Sequence, residues 1–247
     1  MASLGFPSLL LLSCIFVFAS AIASPHAPAA HKVSLALYYE TLCPACSIFI
    51  VNDLAKIFHN GLIKIVDLQL VPYGNANVDS NGTITCQHGA EECFLNTVEA
   101  CAIDVWPNLN EHFKFISCVE QMIISGKFKE EWKSCYHKTH LGPKHIAKCY
   151  NSPRGKKLEH KYAKMTESLK PPHEFVPWVT VNDQPLLLDY ENFTSYVCKA
   201  YRGKHMPKAC KQQLTHQIIP LEKASPTDEV CFTDETTKTS ASYTHHQ

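Results

Sequence analysis

Two cysteines separated by two residues, Cys43 and Cys46, are the part of this sequence best suited to chemistry. Thiol–disulfide exchange needs a thiolate that attacks a disulfide sulfur and a second thiol that resolves the resulting mixed disulfide. A Cys-x-x-Cys spacing places both side chains on one side of a helical turn, within reach of each other. We therefore predict that Cys43 is the nucleophile and Cys46 the resolving thiol of an exchange site.

The segments on either side of the pair have to position it. Residues 33–40 are apolar, aromatic and β-favouring, which predicts a buried strand. Residues 47–58 carry apolar side chains at helical spacing, which predicts an amphipathic helix. Because the first turn of a helix carries unpaired N–H groups and a partial positive charge, we expect Cys43 to ionise more readily than a free thiol. Pro44 fits this turn, where its missing N–H costs nothing.

Three other interpretations of the pair remain open: half of a zinc site, a permanent structural disulfide, or a chance spacing. A structural zinc site usually needs a second Cys/His pair at short spacing, and the sequence has no other Cys-x-x-Cys. We therefore expect no metal. The strand before the pair and the helix after it favour redox chemistry.

The N-terminus is typical of a secretory signal peptide, which we expect over residues 1–23. Residues 9–18 form an apolar run, and residues 19–23 are mostly small. The run is too short for a stable membrane span, so we expect none. Two glycosylation sequons, at Asn81 and Asn192, agree with a route through the secretory pathway.

Cysteine usage also indicates an oxidising environment. The chain has 12 cysteines, and Cys14 would leave with the signal peptide. Nine then remain outside the Cys-x-x-Cys, which predicts structural disulfides. Because nine is odd, one cysteine stays unpaired or pairs between chains. Cys231, alone in a polar tail, is the first candidate, and it could link two chains in a dimer.

The charge balance argues against nucleic acid as a partner. Lys and Arg together number 23, as do Asp and Glu, so the chain has no basic excess with which to hold phosphates. The chain also has 14 histidines, which become charged below about pH 6.5 and would make it cationic in an acidic compartment.

The order of predicted elements indicates the fold class. Residues 62–71 predict a second strand, parallel to the first because a helix separates them. Residues from about 86 to 170 predict only helices, stapled by cysteines. A β-hairpin over 174–181 and 184–188 and a helix over 190–202 follow. This order predicts an α/β thioredoxin-like fold with a disulfide-stapled helical insertion between the second strand and the proline-led β-hairpin.

This fold would occupy residues 32–210, and residues 211–247 would form a polar, disordered tail. In the predicted order, the residue that faces the Cys-x-x-Cys is a proline just before the third strand. Val176 and Pro177 have that position. We predict that the bond between them is cis and that the Val176 backbone binds substrate.

Residues 86–101, CQHGAEECFLNTVEAC, resemble the signature CQHGxxECxxNxxExC of the gamma-interferon-inducible lysosomal thiol reductase (GILT) family. The fixed positions that match are Cys86, Gln87, His88, Gly89, Glu92, Cys93, Asn96, Glu99 and Cys101. The Cys-x-x-Cys, residues 176–182, the signal and the sequons are also similar to that family. The resemblance covers residues 32–210.

The resemblance implies a thiol reductase that acts on disulfide-containing proteins or peptides in lysosomes or the vacuole, or after secretion. Cys43 and Cys46 would be its catalytic pair. It would bind no cofactor and would take electrons from a small thiol such as cysteine or glutathione. We interpret the signature residues as structural rather than substrate-binding. Two alternatives stay open: a disulfide oxidase or isomerase of the secretory pathway, and a non-enzymatic, disulfide-rich secreted protein.

Overall fold

A computed structural model describes residue 1, residues 32–211 and residues 230–233 of the chain. The predicted signal peptide after its first residue, and most of the predicted tail, lie outside the described residues. No helix in the described part is long and apolar enough to cross a membrane. The two sequon asparagines, Asn81 and Asn192, are both exposed.

The central sheet has four strands in the order β2–β1–β6–β7. The strands of the described residues are β1 (Val33–Tyr39), β2 (Val66–Pro72), β3 (Asn77–Val78), β4 (Ile84–Thr85), β5 (Phe175–Val176), β6 (Trp178–Val181), β7 (Gln184–Pro185) and β8 (Cys231–Phe232). β1 pairs in parallel with β2 and antiparallel with β6. β1 is apolar along almost its whole length because it lies inside the sheet and both of its faces are covered.

Helices cover the sheet and form the whole of the region between β4 and β5. They are α1 (Pro44–Ile48), α2 (Lys56–His59), α3 (Ala90–Val105), α4 (Leu109–Ile124), α5 (Phe128–Glu131), α6 (Ser134–Lys138), α7 (Pro143–Tyr150), α8 (Pro153–Glu167) and α9 (Phe193–Ala200). Two 3₁₀ helices span Leu62–Lys64 and Leu187–Asn192.

The helix predicted over residues 47–58 is not one regular helix. α1 continues into a π-helical segment, Phe49–Leu54, where the Ala55 N–H donates to the Ile50 carbonyl at 3.1 Å, and α2 follows. Ile50 stays fully buried. Because a π turn keeps the apolar face toward the core, the sequence pattern could not distinguish it from an α-helix. Gly61 then ends the helical region with φ +85, a conformation that favours glycine.

Two predicted strands are shorter than expected. The strand predicted over 174–181 is divided at Pro177 into β5 and β6, since proline has no N–H for the ladder. The returning strand ends at Pro185, and a 3₁₀ helix replaces its second half. The turn between them is as predicted, with positive φ at Asn182 and Asp183. A small hairpin, β3–β4, also forms between β2 and α3.

Four disulfides pair the eight structural cysteines of the described domain. Three of them staple the helical region and one closes the chain after α9: Cys86–Cys93, Cys101–Cys149, Cys118–Cys135 and Cys198–Cys210. Cys93 and Cys101 lie on one helix, about two turns apart, and each pairs elsewhere, as their separation required.

The predicted disorder of the tail does not hold for residues 230–233. β8 pairs antiparallel with β5, with Phe232 opposite Phe175 and Cys231 opposite Val176. The tail therefore returns to the edge of the fold that carries Pro177.

Candidate active site

The Cys-x-x-Cys lies where the central strand gives way to the first helix. After β1 the chain turns through Leu42, which has φ +66, and Cys43 is the residue that caps α1. Pro44 is the first helical residue, as predicted. Both Cys43 and Cys46 have 0% of their surface exposed.

The sulfur of Cys43 is bonded to Cys231, 188 residues further along the chain. The prediction that Cys231 is unpaired or links two chains is wrong for this structure. The reason is that β8 places Cys231 opposite Val176, next to the loop that leads to Cys43. This linkage has the covalent form of a mixed disulfide between a nucleophilic cysteine and a peptide.

Cys46 is the free cysteine of the described residues. Burial raises the pKa of its thiol well above the ordinary value. A backbone hydrogen bond at Glu40 offsets part of this effect, and three buried carboxylates raise the pKa further: Glu40, Glu120 and Glu92. Cys46 is therefore held as a neutral thiol, so it needs a base before it can attack a disulfide.

The bond between Val176 and Pro177 is cis. Val176 is fully buried, and its carbonyl oxygen lies 3.9 Å from the Cys43 sulfur. Val176 and Pro177, which were predicted to face the Cys-x-x-Cys, thus lie beside it. Their binding of substrate remains a prediction.

The signature residues form the layer that supports the loop before Cys43. The Thr41 N–H donates to Asn96 Oδ1 at 2.9 Å, and the Thr41 hydroxyl donates to the Glu92 carbonyl at 3.2 Å. Gly89 caps α3 with φ +90, which explains why a glycine stands there. Asn96 and Glu92 of the signature therefore brace the loop that leads to Cys43.

A pair of buried carboxylates lies deeper in the same layer. Glu99 accepts a 2.6 Å hydrogen bond from the Tyr39 hydroxyl and shares another with Glu120, which also accepts from Ser47. Burial and the neighbouring Glu120 raise the pKa of Glu99 well above its ordinary value. Burial raises the pKa of Glu120 to about 7. Both carboxyl groups therefore keep their protons to higher pH than free carboxyl groups do.

Glu40 places a carboxylate next to the disulfide sulfurs. Its carboxylate and the sulfurs of Cys43 and Cys231 lie within 4.8 Å of one another. His88 Nδ1 lies 3.5 Å from Glu40 and 2.7 Å from Glu92. The His88 side chain is 32% exposed, so this chain of groups runs from the buried sulfurs to the surface.

The same groups could be considered as metal ligands, since Glu40, His88 and Glu92 also lie within 4.8 Å of one another. Their contacts have another explanation. A histidine between two carboxylates forms ion pairs when it is protonated, and the two nearby sulfurs are already bonded to each other.

Comparison with known proteins identifies the family. Residues 34–139 match the family model described as gamma interferon inducible lysosomal thiol reductase (GILT). A protein of Arabidopsis thaliana named gamma-interferon-responsive lysosomal thiol protein is 45% identical over 196 residues, which cover 78% of this chain and 81% of that protein. The chain belongs to the GILT family. The mouse gamma-interferon-inducible lysosomal thiol reductase is 40% identical over 188 residues, covering 74% of this chain and 73% of that protein.

Solved structures support the fold of this GILT chain. A disulfide bond oxidoreductase (DsbG) from Mycobacterium tuberculosis matches with a TM-score of 0.51 and 15% identity, covering 74% of this chain and 84% of that one. DsbA from the same organism matches with a TM-score of 0.51 and 16% identity, covering 74% and 88%. The predicted thioredoxin-like fold is confirmed, and the chain is a thiol–disulfide oxidoreductase.

Sequence reasoning did not identify several polar residues of this GILT site. Glu40, Asn75 and Glu120 lie outside the signature, and no short motif includes them. One signal for Glu40 was present, since it is a carboxylate at the end of an otherwise apolar strand, three residues before Cys43. Gln87 belongs to the signature, but its amide donates to the Phe232 carbonyl, 145 residues away, a contact that the signature does not indicate.

Proposed function

We propose that this GILT chain reduces disulfides of other proteins or peptides in an acidic compartment, with Cys43 as the nucleophile and Cys46 as the resolving thiol. One observation carries the proposal: Cys43 is the sulfur bonded to a cysteine from outside the Cys-x-x-Cys, while Cys46 remains a free thiol behind it.

The reaction proceeds in two exchanges. The Cys43 thiolate attacks one sulfur of a substrate disulfide, forms a mixed disulfide and releases the first substrate thiol. Cys46 then loses its proton and attacks Cys43, which forms the Cys43–Cys46 disulfide and releases the second thiol. Two electrons have passed to the substrate. Two molecules of a small thiol, such as cysteine or glutathione, restore the reduced pair.

The second exchange needs a base because Cys46 is buried among carboxylates. Glu40 is the charged group with the largest effect on the Cys46 pKa, and it lies beside the Cys43 sulfur. We assign to Glu40 the acceptance of the Cys46 proton. His88, which contacts Glu40 and is partly exposed, then passes the proton to solvent.

Several features support an acidic site of action. The named relatives from mouse and Arabidopsis are lysosomal by name. The Glu99–Glu120 pair has raised pKa values, so the charge inside the fold falls as the pH drops. The predicted signal peptide and the exposed sequons at Asn81 and Asn192 fit a glycosylated protein that travels through the secretory pathway to a lysosome, a vacuole or the cell exterior.

The test is reduction of a model disulfide protein by the purified chain with a small thiol, at pH 4.5 and at pH 7. We expect activity at pH 4.5 that is lost in Cys43→Ser. Cys46→Ser should instead accumulate a mixed disulfide at Cys43, which mass spectrometry detects. Activity only near pH 7 would favour an oxidase or isomerase, and activity unaffected by Cys43→Ser would refute the assignment of the nucleophile.

A further inference from the structure

The segment Val230–Thr233, called here the tail strand, is bound to the fold as a peptide would be. β8 pairs antiparallel with β5, and the Thr233 N–H donates to the Glu174 carbonyl at 3.0 Å. Extended peptides commonly bind proteins by adding a strand to an exposed sheet edge, because the main-chain hydrogen bonds do not depend on sequence. The tail strand uses this mode beside the reactive sulfur.

Two side-chain amides hold the tail strand in addition to β5. Asn75 Nδ2 donates to the Cys231 carbonyl at 2.9 Å, and Gln87 Nε2 donates to the Phe232 carbonyl at 2.8 Å. Asn75 Nδ2 also donates to Gln87 Oε1 at 2.7 Å. That bond occupies the oxygen end of the Gln87 amide and leaves its N–H₂ group for the peptide. The two amides therefore recognise main-chain carbonyls.

The side chain after the cysteine has a specific contact. The Phe232 ring packs edge-on against Phe175, with centroids 6.0 Å apart, and Phe175 packs in turn against Trp178 at 5.2 Å. Phe175 and Trp178 are almost fully buried, so they form a rigid apolar surface. A charged residue in place of Phe232 would lose this contact.

We propose that the cleft between Asn75, Gln87 and β5 is the substrate-binding site, and that the tail strand occupies it as a covalently bound pseudosubstrate. This inference rests on the proposed function and specifies its substrate class. Substrates bind as extended segments in which a large apolar residue follows the disulfide-bonded cysteine. Asn75 and Gln87 bind the carbonyls of these two residues, so Gln87 of the family signature contacts substrate directly.

The bound tail strand also makes the chain latent until the Cys43–Cys231 bond is reduced. If Cys46 attacks Cys43 here, as in the resolving step, the tethered Cys231 thiol stays nearby and reverses the exchange, so an external thiol is needed. A small thiolate attacks the Cys231 sulfur, forms a mixed disulfide with the tail and releases the Cys43 thiolate. A second small thiol then reduces the tail cysteine. In total, two thiols are oxidised to one disulfide, and Cys43 and Cys231 each become a thiol. Since a tethered segment competes at an effective concentration of about 1 mM, the free tail would still compete with dilute substrates.

The first experiment tests the linkage in the full chain, purified without reductant. After alkylation of free thiols and digestion, we expect a disulfide-linked pair of peptides that contain Cys43 and Cys231, and alkylated Cys46. In Cys231→Ser, Cys43 should be alkylated or bonded to Cys46. If the wild-type chain instead has Cys43 bonded to Cys46 and Cys231 as a free thiol, the proposal that the tail strand is a pseudosubstrate is wrong.

The second experiment tests the cleft with a peptide of the sequence of residues 229–234, bonded through its cysteine to a fluorescent thiol. Cys231→Ser should reduce this peptide about tenfold faster than wild type at limiting small thiol, because the tethered competitor has been removed. A peptide with aspartate in place of Phe232 should show kcat/KM about tenfold lower.

Gln87→Ala in the Cys231→Ser background should lower kcat/KM for the first peptide about threefold to tenfold, the effect of one hydrogen bond. Gln121→Ala, on the exposed face of α4, is the matched control and should change nothing. If Cys231→Ser reduces disulfides but does not discriminate between the two peptides, and Gln87→Ala has no effect in this background, then the cleft is not the substrate-binding site. The proposed function would still stand. If neither wild type nor Cys231→Ser reduces any disulfide at either pH, the proposed function fails, and the cleft with it.

Discussion

The Tyr39 hydroxyl donates a hydrogen bond of 2.6 Å to Glu99, and both residues are fully buried. This bond joins the end of β1, four residues before Cys43, to the signature helix α3. Because the hydroxyl satisfies a buried carboxylate, it fixes the distance between the strand that leads to Cys43 and the helix that supports the loop before Cys43.

We expect Tyr39→Phe to lower the free energy of unfolding by about 1–3 kcal/mol, the cost of leaving a buried polar group without its partner. Urea unfolding at pH 7 measures this. Tyr38→Phe is the matched control, since Tyr38 is adjacent but lies outside the Glu99 cluster. Equal losses in the two variants would contradict the role of the Tyr39–Glu99 bond.

The stability of the chain should decrease as the pH rises from 5 to 8. The pKa of Glu120 in the folded state is raised to about 7, above its value of 4.5 in the unfolded chain. Between these values the folded state holds a proton that the unfolded state has lost. The stabilisation is therefore complete below pH 4.5 and is lost as the pH rises through 7. For each proton released, the free energy of unfolding falls by about 1.4 kcal/mol per pH unit between these values.

Denaturant unfolding across this pH range, with Glu120→Gln, tests the assignment. The slope of stability against pH should become shallower in Glu120→Gln, because one of the two carboxyl groups with a raised pKa has been removed. Glu111→Gln, on an exposed position of the same helix, should keep the wild-type slope. Wild-type stability that rises between pH 5 and 8 would refute the raised pKa values.

Glu40→Gln should slow the resolving step more than the first attack. Without a base beside the sulfurs, Cys46 loses its proton about 100-fold more slowly, which is the usual contribution of general base catalysis. Quenching the reaction during turnover should therefore trap more mixed disulfide at Cys43 than in wild type. Glu40→Asp should restore part of the rate. An unchanged level of mixed disulfide would remove Glu40 from the proton path.

Gly74→Ala should destabilise the chain more than Gly61→Ala. Both glycines have positive φ, +60 and +85, so alanine is strained at either position. A Cβ at Gly74 would also overlap the Glu40 carboxylate, whereas one at Gly61 meets nothing within 4 Å. We expect a difference of about 1–3 kcal/mol in thermal or urea unfolding. Equal effects would show that the Glu40 side chain moves freely.

The local features of this fold could be predicted because their causes are local. The long helices between β4 and β5 fall within the region of residues 86–170 that predicts helices, and positive φ at Asn182 and Asp183 closes the predicted hairpin. The order of strand, Cys-x-x-Cys and helix also follows from neighbouring residues. These features depend on interactions over a few residues, which a sequence displays directly.

The composition of the site could be predicted only in part, because its remaining contacts join distant residues. Cys43 meets Cys231 across 188 residues, and Gln87 meets Phe232 across 145. No periodicity encodes such pairs. The odd cysteine count and the polar tail did indicate Cys231, but they do not indicate that its partner is Cys43 and that Cys46 is left free.

The bond between Cys43 and Cys231 closes nearly the whole domain into a covalent ring. A protease that cuts the chain anywhere between these two cysteines would leave the pieces attached to each other, and the mass on a non-reducing gel would not change. If the cut lies between Cys210 and Cys231, reduction of this one bond would release the C-terminal piece and the Cys43 thiol together. A purification with a reducing agent strong enough to open this bond therefore yields a different molecule, one in which Cys43 is a free thiol.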